Sequence, residues 1–337
     1  MTHANIRRSH FIAGLSAAAA FAAGESPALA DGSVNIINTG ANDSFALQAL
    51  IASRKYFESV NLTANTQNVS DGVKLMTAIV SGASDIAILT GFSQVFPAIE
   101  NGAQIKLVGS AMLPVSFEMY TANPAIKTVK DLEGKTVGTG AVGALLYAAA
   151  IAMLKKHNVD IKKVSFVNIG SSSDVFKAIV AKKIDAGPSQ HEFFRMAEQN
   201  GVRSIADFAK EIPNFTNQGA FASDKVIAEK RNILVRTLAA YGKAYRYVNT
   251  PASKADYLKA YRDGVGKDLD ELATDQWDWI QQYKAYNTAI ALTPERINYM
   301  QQLNVQLGVQ KAVMPLDKVS DMSIARDAAR IANRGPV

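Results

Sequence analysis

Short apolar runs alternate with amphipathic segments over the first third of the chain. The runs that predict buried strands lie at residues 34–38, 62–66, 86–89 and 105–109. Between them, residues 45–57 predict one helix, and a second helix carries an apolar face formed by Val73, Met76, Ile79 and Val80. Asp71 is suited to cap the start of this second helix, and Gly82 is suited to end it. Strands that alternate with helices are typical of an α/β unit with a largely parallel sheet.

The same pattern restarts after residue 113. Predicted strands lie at residues 115–121, 136–138 and 164–168, and predicted helices at residues 144–157 and 192–200. From residue 226 onward the pattern is mostly helical, with segments at residues 226–248, 253–262, 274–287 and 294–307. Thr293 and Pro294 fit the cap and first turn of the last segment. The aromatic residues of this part, Trp277, Trp279, Tyr283 and Tyr286, are interpreted as core or surface side chains.

One thirteen-residue phrase occurs twice, one hundred positions apart. Residues 77–89 read TAIVSGASDIAIL and residues 177–189 read KAIVAKKIDAGPS. In each copy a helix ends, a turn carries an aspartate (Asp85 or Asp185), and an apolar strand follows. Coincidence is one explanation, because Ala, Ile and Val are common. A repeated helix–turn–strand unit instead indicates two lobes of similar build, and a cleft between lobes is a common place for a ligand.

The first thirty residues are typical of a secretion signal. Arg7 and Arg8 precede a short apolar stretch, and small residues before and at Ala30 suit cleavage after that position. The stretch is too short to span a bilayer. Phe11 lies one residue later than a twin-arginine leader requires, so general secretion and twin-arginine export both stay open.

Charge and cysteine content narrow the function classes. The leader carries Arg7, Arg8 and Glu25, so its removal lowers the formal net charge from +6 to +5. The positive charges are spread in pairs with no long basic block, which argues against nucleic acid as a partner. The chain has no cysteine, which excludes disulfides, thiolate metal sites and a lipoprotein anchor. No segment after the leader is apolar enough to cross a membrane. These features favour a protein of the periplasm.

Several motifs, in a fixed order, resemble a known family. Residues 131–138 read DLEGKTVG, residues 166–170 read FVNIG, and Asp174 and the turn at residues 184–186 follow. Upstream, the resemblance includes Gly82, Asp85, Gly91, Ala98, Gly102 and residues 106–108. From residue 33 to residue 255 the chain resembles the aliphatic-sulfonate, nitrate and taurine type of periplasmic binding protein of ABC transporters. Its superfamily includes proteins that bind thiamine-pyrimidine precursors.

The resemblance implies an α/β, two-lobed periplasmic binding protein fold of type II. Two crossovers join the lobes, a ligand cleft lies between them, and the C-terminal part is helical. Lobe one is expected at residues 31–113 and 222–337, and lobe two at residues 114–221. The hinge is expected at residues 112–117 and 217–221, where Gly219 absorbs the backbone rotation. Such a protein is a monomer that closes on a small molecule and delivers it to the permease subunits of the transporter, without enzymatic activity or a cofactor.

Small polar residues follow the predicted strands and precede helices. Ligands of open parallel sheets bind beyond the carboxyl ends of the strands, where free backbone N–H groups face an anion. Each of these residues could equally be a simple helix cap. The candidate ligand-binding residues are Asn42, Ser44, Thr90, Phe92, Ser93, Thr139, Gly143, Ala144, Ser171, Ser172, Gln190 and His191. Asp85 and Asp185 are expected to form turns rather than to bind.

Two nucleotide-binding motifs match only in part. Residues 138–143 spell G-x-G-x-x-G after a strand, but Asp160 precedes the next strand, whereas a ribose-binding acid belongs at the end of that strand. Residues 134–136 mimic the end of a P-loop, but Val129 stands where glycine is needed. His157 is expected to be solvated at a helix C-terminus, and two separate histidines do not make a metal site.

The ligand class stays open at this point. Polar loops at helix starts favour an anion such as a sulfonate, nitrate or carboxylate. The rings of Phe92, Phe117, Phe193 and Phe194 could instead stack on a pyrimidine or another aromatic compound, although such residues are more often core. A thiamine-pyrimidine biosynthesis enzyme of the same fold is a further alternative.

Overall fold

The computed structural model describes residues 32–69, 72–267 and 269–334, so the predicted leader and the predicted Asp71 cap lie outside the described residues. The strands are β1 (Ser33–Thr39), β2 (Thr63–Val69), β3 (Ile86–Thr90), β4 (Ile105–Ser110), β5 (Phe117–Thr121), β6 (Thr136–Thr139), β7 (Ser165–Asn168), β8 (Ala186–Gln190), β9 (Arg203–Asp207) and β10 (Gly219–Ser223).

The helices of the first two thirds are α1 (Asn42–Ser53), α2 (Gly72–Ser81), α3 (Val95–Glu100), α4 (Leu145–Lys156), α5 (Ser172–Val180), α6 (Phe194–Gln199) and α7 (Phe208–Glu211). The C-terminal third is helical, as predicted, with α8 (Asp224–Val248), α9 (Lys254–Gly264), α10 (Asp270–Tyr283), α11 (Pro294–Gln306), α12 (Leu316–Val319) and α13 (Met322–Ala332). Short 3₁₀ turns include Glu58–Val60, Val129–Leu132 and His191–Phe193.

The strands form two five-stranded sheets of the same design. The first has the order β2-β1-β3-β10-β4 and the second the order β7-β6-β8-β5-β9. In each sheet the first three strands pair in parallel, and the fourth position holds a strand that is antiparallel to both of its neighbours. Because β5 enters the second sheet and β10 returns to the first, the chain crosses between the sheets twice. The predicted two-lobed α/β fold with two crossovers is confirmed.

The repeated phrase occupies equivalent positions in the two sheets. Asp85 precedes β3, and its carboxylate accepts the backbone N–H of Asn35 in β1 at 2.9 Å. Asp185 precedes β8, and its carboxylate accepts the backbone N–H of Thr136 in β6 at 2.9 Å. In both copies the aspartate backbone N–H donates back to the carbonyl of the same residue, at 2.8 Å and 3.0 Å. The two aspartates therefore anchor the turn to the first strand of each sheet.

The crossover segments run side by side and are joined by a third segment. Gln218 donates its backbone N–H to the carbonyl of Met112 at 3.0 Å, and Asn217 donates to Leu113 at 2.9 Å. The chain after α10 joins them, because Leu113 donates to Ala285 at 3.0 Å. The predicted helix at residues 274–287 is therefore wrong at its end: α10 stops at Tyr283, and the residues that follow direct their backbone hydrogen bonds to the crossover.

Gly219 has a packing role that the sequence did not indicate. It lies inside β10, paired with Thr90 on one side and Ser110 on the other. A Cβ atom at this position would stand 2.6 Å from the ring of Phe92. Ladder hydrogen bonds on both sides hold its backbone, so glycine is needed here because the Phe92 ring fills the space of a side chain.

Helices from the C-terminal third contact both sheets. Helix α8 packs on α13, and α9 on α1, while α10 lies against the turn at His191–Phe193 and α11 against α4. Arg195 of α6 forms an ion pair with Asp275 of α10 at 2.7 Å. The hydroxyl of Tyr283 donates to Asp207 at the end of β9. The C-terminal helices therefore connect the two halves of the molecule as well as covering the first sheet.

Two further predictions need correction. Helix α1 spans Asn42–Ser53 rather than residues 45–57, because it begins directly after Ala41 in the loop that follows β1. The apolar face assigned to α2 is only partly buried, since Val73 and Val80 keep 74% and 54% of their surface while Leu75 and Ile79 are fully buried. Among the described helices, none combines the length and the apolar composition that a bilayer span requires.

Candidate functional site

Side chains from the two halves of the molecule meet between the sheets. Asn42 begins α1, after the first strand of the first sheet, and Glu192 follows β8, in the second sheet. The amide nitrogen of Asn42 donates to Glu192 Oε1 at 2.9 Å, and the hydroxyl of Tyr261 in α9 donates to Oε2 at 2.9 Å. Both donors belong to the half built on the first sheet. Glu192, in the second half, therefore accepts hydrogen bonds from two residues of the first half.

Asp43 extends this polar contact into the interior. Its carboxylate accepts a hydrogen bond from the Gln218 amide at 3.0 Å, and both residues are about 5% exposed. Tyr257 lies beside Tyr261, with ring centroids 6.3 Å apart, and Tyr286 is paired with Met112, whose carbonyl accepts from Gln218. Burial raises the pKa of both phenols, and the Asp43 charge adds to the rise. We refer to the set as the inner polar cluster, which consists of Asn42, Asp43, Glu192, Gln218, Tyr257, Tyr261 and Tyr286.

Burial dominates the acid–base behaviour of the two carboxyls. It raises the pKa of Glu192 to about 7, the Asp43 charge adds to the rise, and the hydrogen bonds from Tyr261 and Asn42 oppose it. Burial likewise raises the pKa of Asp43, although Gln218 and two backbone N–H groups lower it. Asp43 lies in the first turn of α1, where the helix dipole favours a negative charge. The cost of burying the charge is larger than the benefit of the helix dipole. Both carboxyls therefore favour the protonated form or a positively charged partner.

His191 is held beside the inner polar cluster by neighbours of its own. Its Nδ1 is 2.8 Å from Glu118 Oε1 in β5, and its ring stacks on Phe194 at a centroid distance of 5.3 Å. Ser204 of β9 donates to the other carboxylate oxygen of Glu118 at 2.5 Å. His191 therefore forms a fixed pair with Glu118, and Gln190 beside it uses its carbonyl to accept from Tyr120 at 3.3 Å.

A second region where the halves meet is open and apolar. Ser93 donates its hydroxyl to the carbonyl of Gly143 at 3.4 Å, and Asn304 donates to the carbonyl of Ser93 at 2.7 Å. Gly143 has a φ of 83°, so its turn requires a left-handed residue. An apolar hollow of about 780 Å³ lies here. Its lining includes Val73, Met76, Val80, Ser93, Pro97, Val142, Gly143, Ala144 and Val309.

The other candidate residues make local contacts. Ser44 and Thr90 are buried and donate to backbone carbonyls of Leu89 and Gly91, and Thr139 donates to Gly140. Ser171 caps α5, accepting from the backbone N–H of Asp174 at 3.2 Å, and the Ser172 carbonyl accepts from Ser189. The structure thus places Asn42 and His191 in or beside the inner polar cluster, and Ser93, Gly143 and Ala144 in the apolar hollow.

The phenylalanines considered for stacking lie mostly in the core. Phe92 is fully buried and packs edge-on against Phe96, with ring centroids 5.9 Å apart. Phe117 packs in the same way against Phe208, and Phe193 stacks on Phe176 at 4.9 Å. Phe194 keeps 38% of its surface exposed and covers His191. His157, expected to be solvated, is instead paired with Glu211.

The acidic side chains of the inner polar cluster were missed in the sequence. Asp43 stands between two predicted residues, Asn42 and Ser44, and Glu192 follows the predicted His191. Their signal was present, because both sit in the loops after β1 and β8 that were singled out. Tyr261 and Gln218 come from distant parts of the chain, and only the tertiary fold brings them there. The described residues contain no group of three or more side chains that could hold a metal ion.

Solved structures share this fold at low sequence identity. The ligand-binding component of an ABC-type import system from Staphylococcus aureus, solved with zinc bound, superposes with a TM-score of 0.72 and 13% identity, covering 89% of this chain and 99% of that one. The periplasmic aliphatic sulphonate binding protein SsuA from Escherichia coli gives a TM-score of 0.69 and 16% identity, covering 86% and 92%. The desulfurization enzyme DSZB gives 0.63 and 12%, covering 88% and 99%.

These similarities establish the fold and leave the activity open, since both binding proteins and an enzyme share it. No curated protein matches the chain at a significant level. The family model described as NMT1/THI5 like matches residues 46–253, which is more than half of the chain. The resemblance seen in the sequence is thereby confirmed, and the chain belongs to the NMT1/THI5-like family.

Proposed function

We propose that this protein is the solute-binding component of an ABC importer. The observation that carries the proposal is the convergence of Asn42 and Tyr261, from one half of the molecule, on Glu192 of the other half. A ligand held at such a contact stabilises the closed arrangement of the two halves, and that arrangement is then recognised by the permease. The similar binding proteins from import systems support this role.

The two halves move as lobes in this proposal. Lobe one comprises residues 31–113 and 222–337, lobe two comprises residues 114–221, and the hinge lies at residues 112–117 and 217–221. The hydrogen bonds from Gln218 to Met112 and from Asn217 to Leu113 support this hinge, since they keep the crossover segments together while the lobes rotate. Export through the leader, with cleavage after Ala30, would place the protein in the periplasm.

The ligand is proposed to be a small molecule, either an anion or a nitrogen-containing heterocycle. The sequence favoured a sulfonate, nitrate or carboxylate. Among the described residues, however, the buried polar side chains include five carboxylates and no lysine, arginine or histidine. An anion would therefore depend on backbone N–H groups and neutral side-chain donors for its recognition. A pyrimidine or another nitrogen heterocycle would find hydrogen-bond partners in Asn42, Glu192 and Tyr261.

A thermal-shift screen across sulfonates, nitrate, carboxylates, pyrimidines and amines tests the binding role. A ligand that binds only the folded state at about 100 times its Kd adds about 2.7 kcal/mol to the free energy of unfolding. Small-angle scattering with any hit should show a smaller radius of gyration. Mass spectrometry of the recovered hit should show it unchanged, and chemical turnover would replace the transport role with an enzymatic one.

A further inference from the structure

Within the part of the chain that the structure describes, the two carboxyls of the inner polar cluster have no cationic partner, unlike other buried acids. Two other buried acids each have one, Asp85 with Lys230 at 2.7 Å and Asp275 with Arg195 at 2.7 Å, and Glu118 lies 2.8 Å from the imidazole of His191. Asp43 is met by the Gln218 amide, and Glu192 by Asn42 and Tyr261. An uncompensated buried carboxylate is costly unless a positive group approaches it.

Unpartnered polar atoms surround the same pair. The hydroxyls of Tyr257 and Tyr286 and the Oε1 atom of Gln218 are buried and have no hydrogen-bond partner among the described residues. Tyr257 is fully buried, and its ring centroid lies 6.3 Å from that of Tyr261, which donates to Glu192. Burial raises the pKa of its phenol, and the charges of Asp43 and Glu192 add to the rise. Buried polar groups in proteins are nearly always paired. Three such atoms at one place indicate that a polar group from outside the chain completes the cluster.

We propose that the Asp43–Glu192 pair binds the protonated nitrogen of a small organic base, such as an ammonium or an amidinium group. The proposal rests on the proposed function, because it assumes that a solute is held between the lobes. The nitrogen donates to both carboxylates, and Tyr257, Tyr286 and Gln218 accept from or donate to the rest of the ligand. Asn42 and Tyr261 keep Glu192 oriented toward the nitrogen.

The proposal fixes the sign of the pH dependence. Glu192 is faced by Asn42 and Asp43 from α1 and by Tyr261 and Tyr257 from α9, and Asp43 is the charged group among these. Helix α10, which packs on the turn at His191–Phe193, contributes Asp275, and Asp275 is paired with Arg195. His191, next in the chain, is already paired with Glu118. A cation requires Glu192 to be ionised, so its binding releases a proton and strengthens as the pH rises through about 7. An anion beside the same carboxyls requires the opposite.

Calorimetric titration of the full-length mature protein tests the proposal with five probes. Benzamidine and 1,4-diaminobutane present a planar amidinium and an aliphatic ammonium, and tetramethylammonium has the charge without an N–H group. Ethanesulfonate and nitrate represent the anions. At about 10 mM the N–H cations should raise the melting temperature. Their affinity should increase about tenfold from pH 6 to pH 8. The cation that binds more tightly distinguishes a planar from an aliphatic base.

Two substitutions and a matched control complete the test. Glu192→Gln and Asp43→Asn should each weaken binding of the N–H cation by about 30-fold or more, because one buried charge partner is lost. Glu271→Gln makes the same charge change on the exposed start of α10 and should leave the affinity unaltered. The proposal is wrong if neither N–H cation binds, if tetramethylammonium binds equally well, or if Glu192→Gln has no effect. Binding of anions alone would also overturn it, while leaving the solute-binding role intact.

Discussion

Two pairs of acidic side chains in this chain have different hydrogen-bond partners and different roles. Asp85 and Asp185 each accept a backbone N–H from the first strand of their own sheet, at 2.9 Å. Glu192 accepts from the side chains of Asn42 and Tyr261, which belong to the other half of the molecule, and Asp43 accepts from Gln218 and from backbone N–H groups at the start of α1. Asp85 and Asp185 are thus satisfied within their own sheets, whereas Glu192 depends on the contact between the two halves.

The two pairs differ in their hydrogen-bond partners, and this difference distinguishes residues that stabilise the fold from residues that could bind a ligand. A carboxylate that accepts a backbone N–H replaces a missing ladder bond, so its loss leaves a buried backbone donor unpaired. A carboxylate held by side-chain donors from the other half of the molecule can exchange them for a ligand. The repeated phrase therefore marks the structural pair, and the recognition pair lies in the loops after β1 and β8.

The largest expected effect is on the first lobe's structural aspartate. Asp85→Ala should lower the free energy of unfolding by about 3 kcal/mol, because it removes a hydrogen bond to Asn35 and the ion pair with Lys230 at a site that is only 3% exposed. Urea denaturation followed by circular dichroism measures the change. Asp85→Asn is the matched control, since its amide oxygen still accepts the backbone N–H. An equal loss in both variants would show that the backbone hydrogen bond contributes little.

A second prediction concerns the recognition pair and pH. The pKa of Glu192 is raised from 4.5 to about 7, so the folded state holds a proton that the unfolded state releases. This contribution to stability is complete below pH 4.5 and is lost as the pH rises through about 7. Glu192→Gln removes it, so at pH 8 the variant should be more stable than the wild type, by about 3 kcal/mol at most. Unfolding free energies between pH 4 and pH 8 measure the difference.

The wild-type curve alone does not isolate Glu192, because other carboxyls titrate. Asp131 and Asp256 have lowered pKa values and lose their stabilising contribution in acid. Those groups are common to wild type and variant, so the difference between the two curves cancels them. Glu271→Gln should give a curve parallel to the wild type. A flat difference between wild type and Glu192→Gln would remove Glu192 from the list of perturbed acids.

A third prediction compares the two structural aspartates. Asp185→Ala should lower the free energy of unfolding by about 2 kcal/mol, through loss of the bonds from Thr136 at 2.9 Å and from Asn123 at 3.1 Å. The cost is smaller than for Asp85, because Asp185 is only partly buried and forms no ion pair with the residues that the structure describes. Parallel denaturation of the two alanine variants tests the order. A larger loss for Asp185 would make the second lobe's turn the more important of the two.

The sequence predicted the architecture well where apolar periodicity was strong. Buried runs such as Ile86–Thr90 and the helix α4 were found within a few residues of their bounds. The strands β9 and β10 were missed, because Arg203–Asp207 is half exposed and Gly219–Ser223 is built from small residues without alternation. Their positions depend on the partner strands β5, β3 and β4, which a local pattern does not contain.

The candidate site was predicted at the level of loops rather than side chains. The loops after β1 and β8 were identified because ligands of such sheets bind beyond strand ends. Within these loops the small polar residues were predicted as ligand contacts, and Asp43 and Glu192 were not. A carboxylate in a loop is most often solvated, and only tertiary burial turns it into a perturbed group. Tyr261 could not be predicted as a site residue, because it lies 69 positions from Glu192 in the sequence. Only the packing of α9 brings the two side chains together.

The smallest expected effect concerns Ser171, which either only caps α5 or also contacts the ligand. Ser171→Ala should lower the free energy of unfolding by about 1 kcal/mol, because the Ser171 hydroxyl accepts the backbone N–H of Asp174 at the start of α5. Ser171 is exposed and lies outside the inner polar cluster, so the affinity for any hit of the ligand screen should stay unchanged. Ser171→Thr keeps the hydroxyl, which also donates to the Asp174 carboxylate at 2.7 Å, and should restore the stability. A loss of affinity in Ser171→Ala with wild-type stability would instead place the ligand at α5, as the sequence predicted, and would shift recognition away from Asp43 and Glu192.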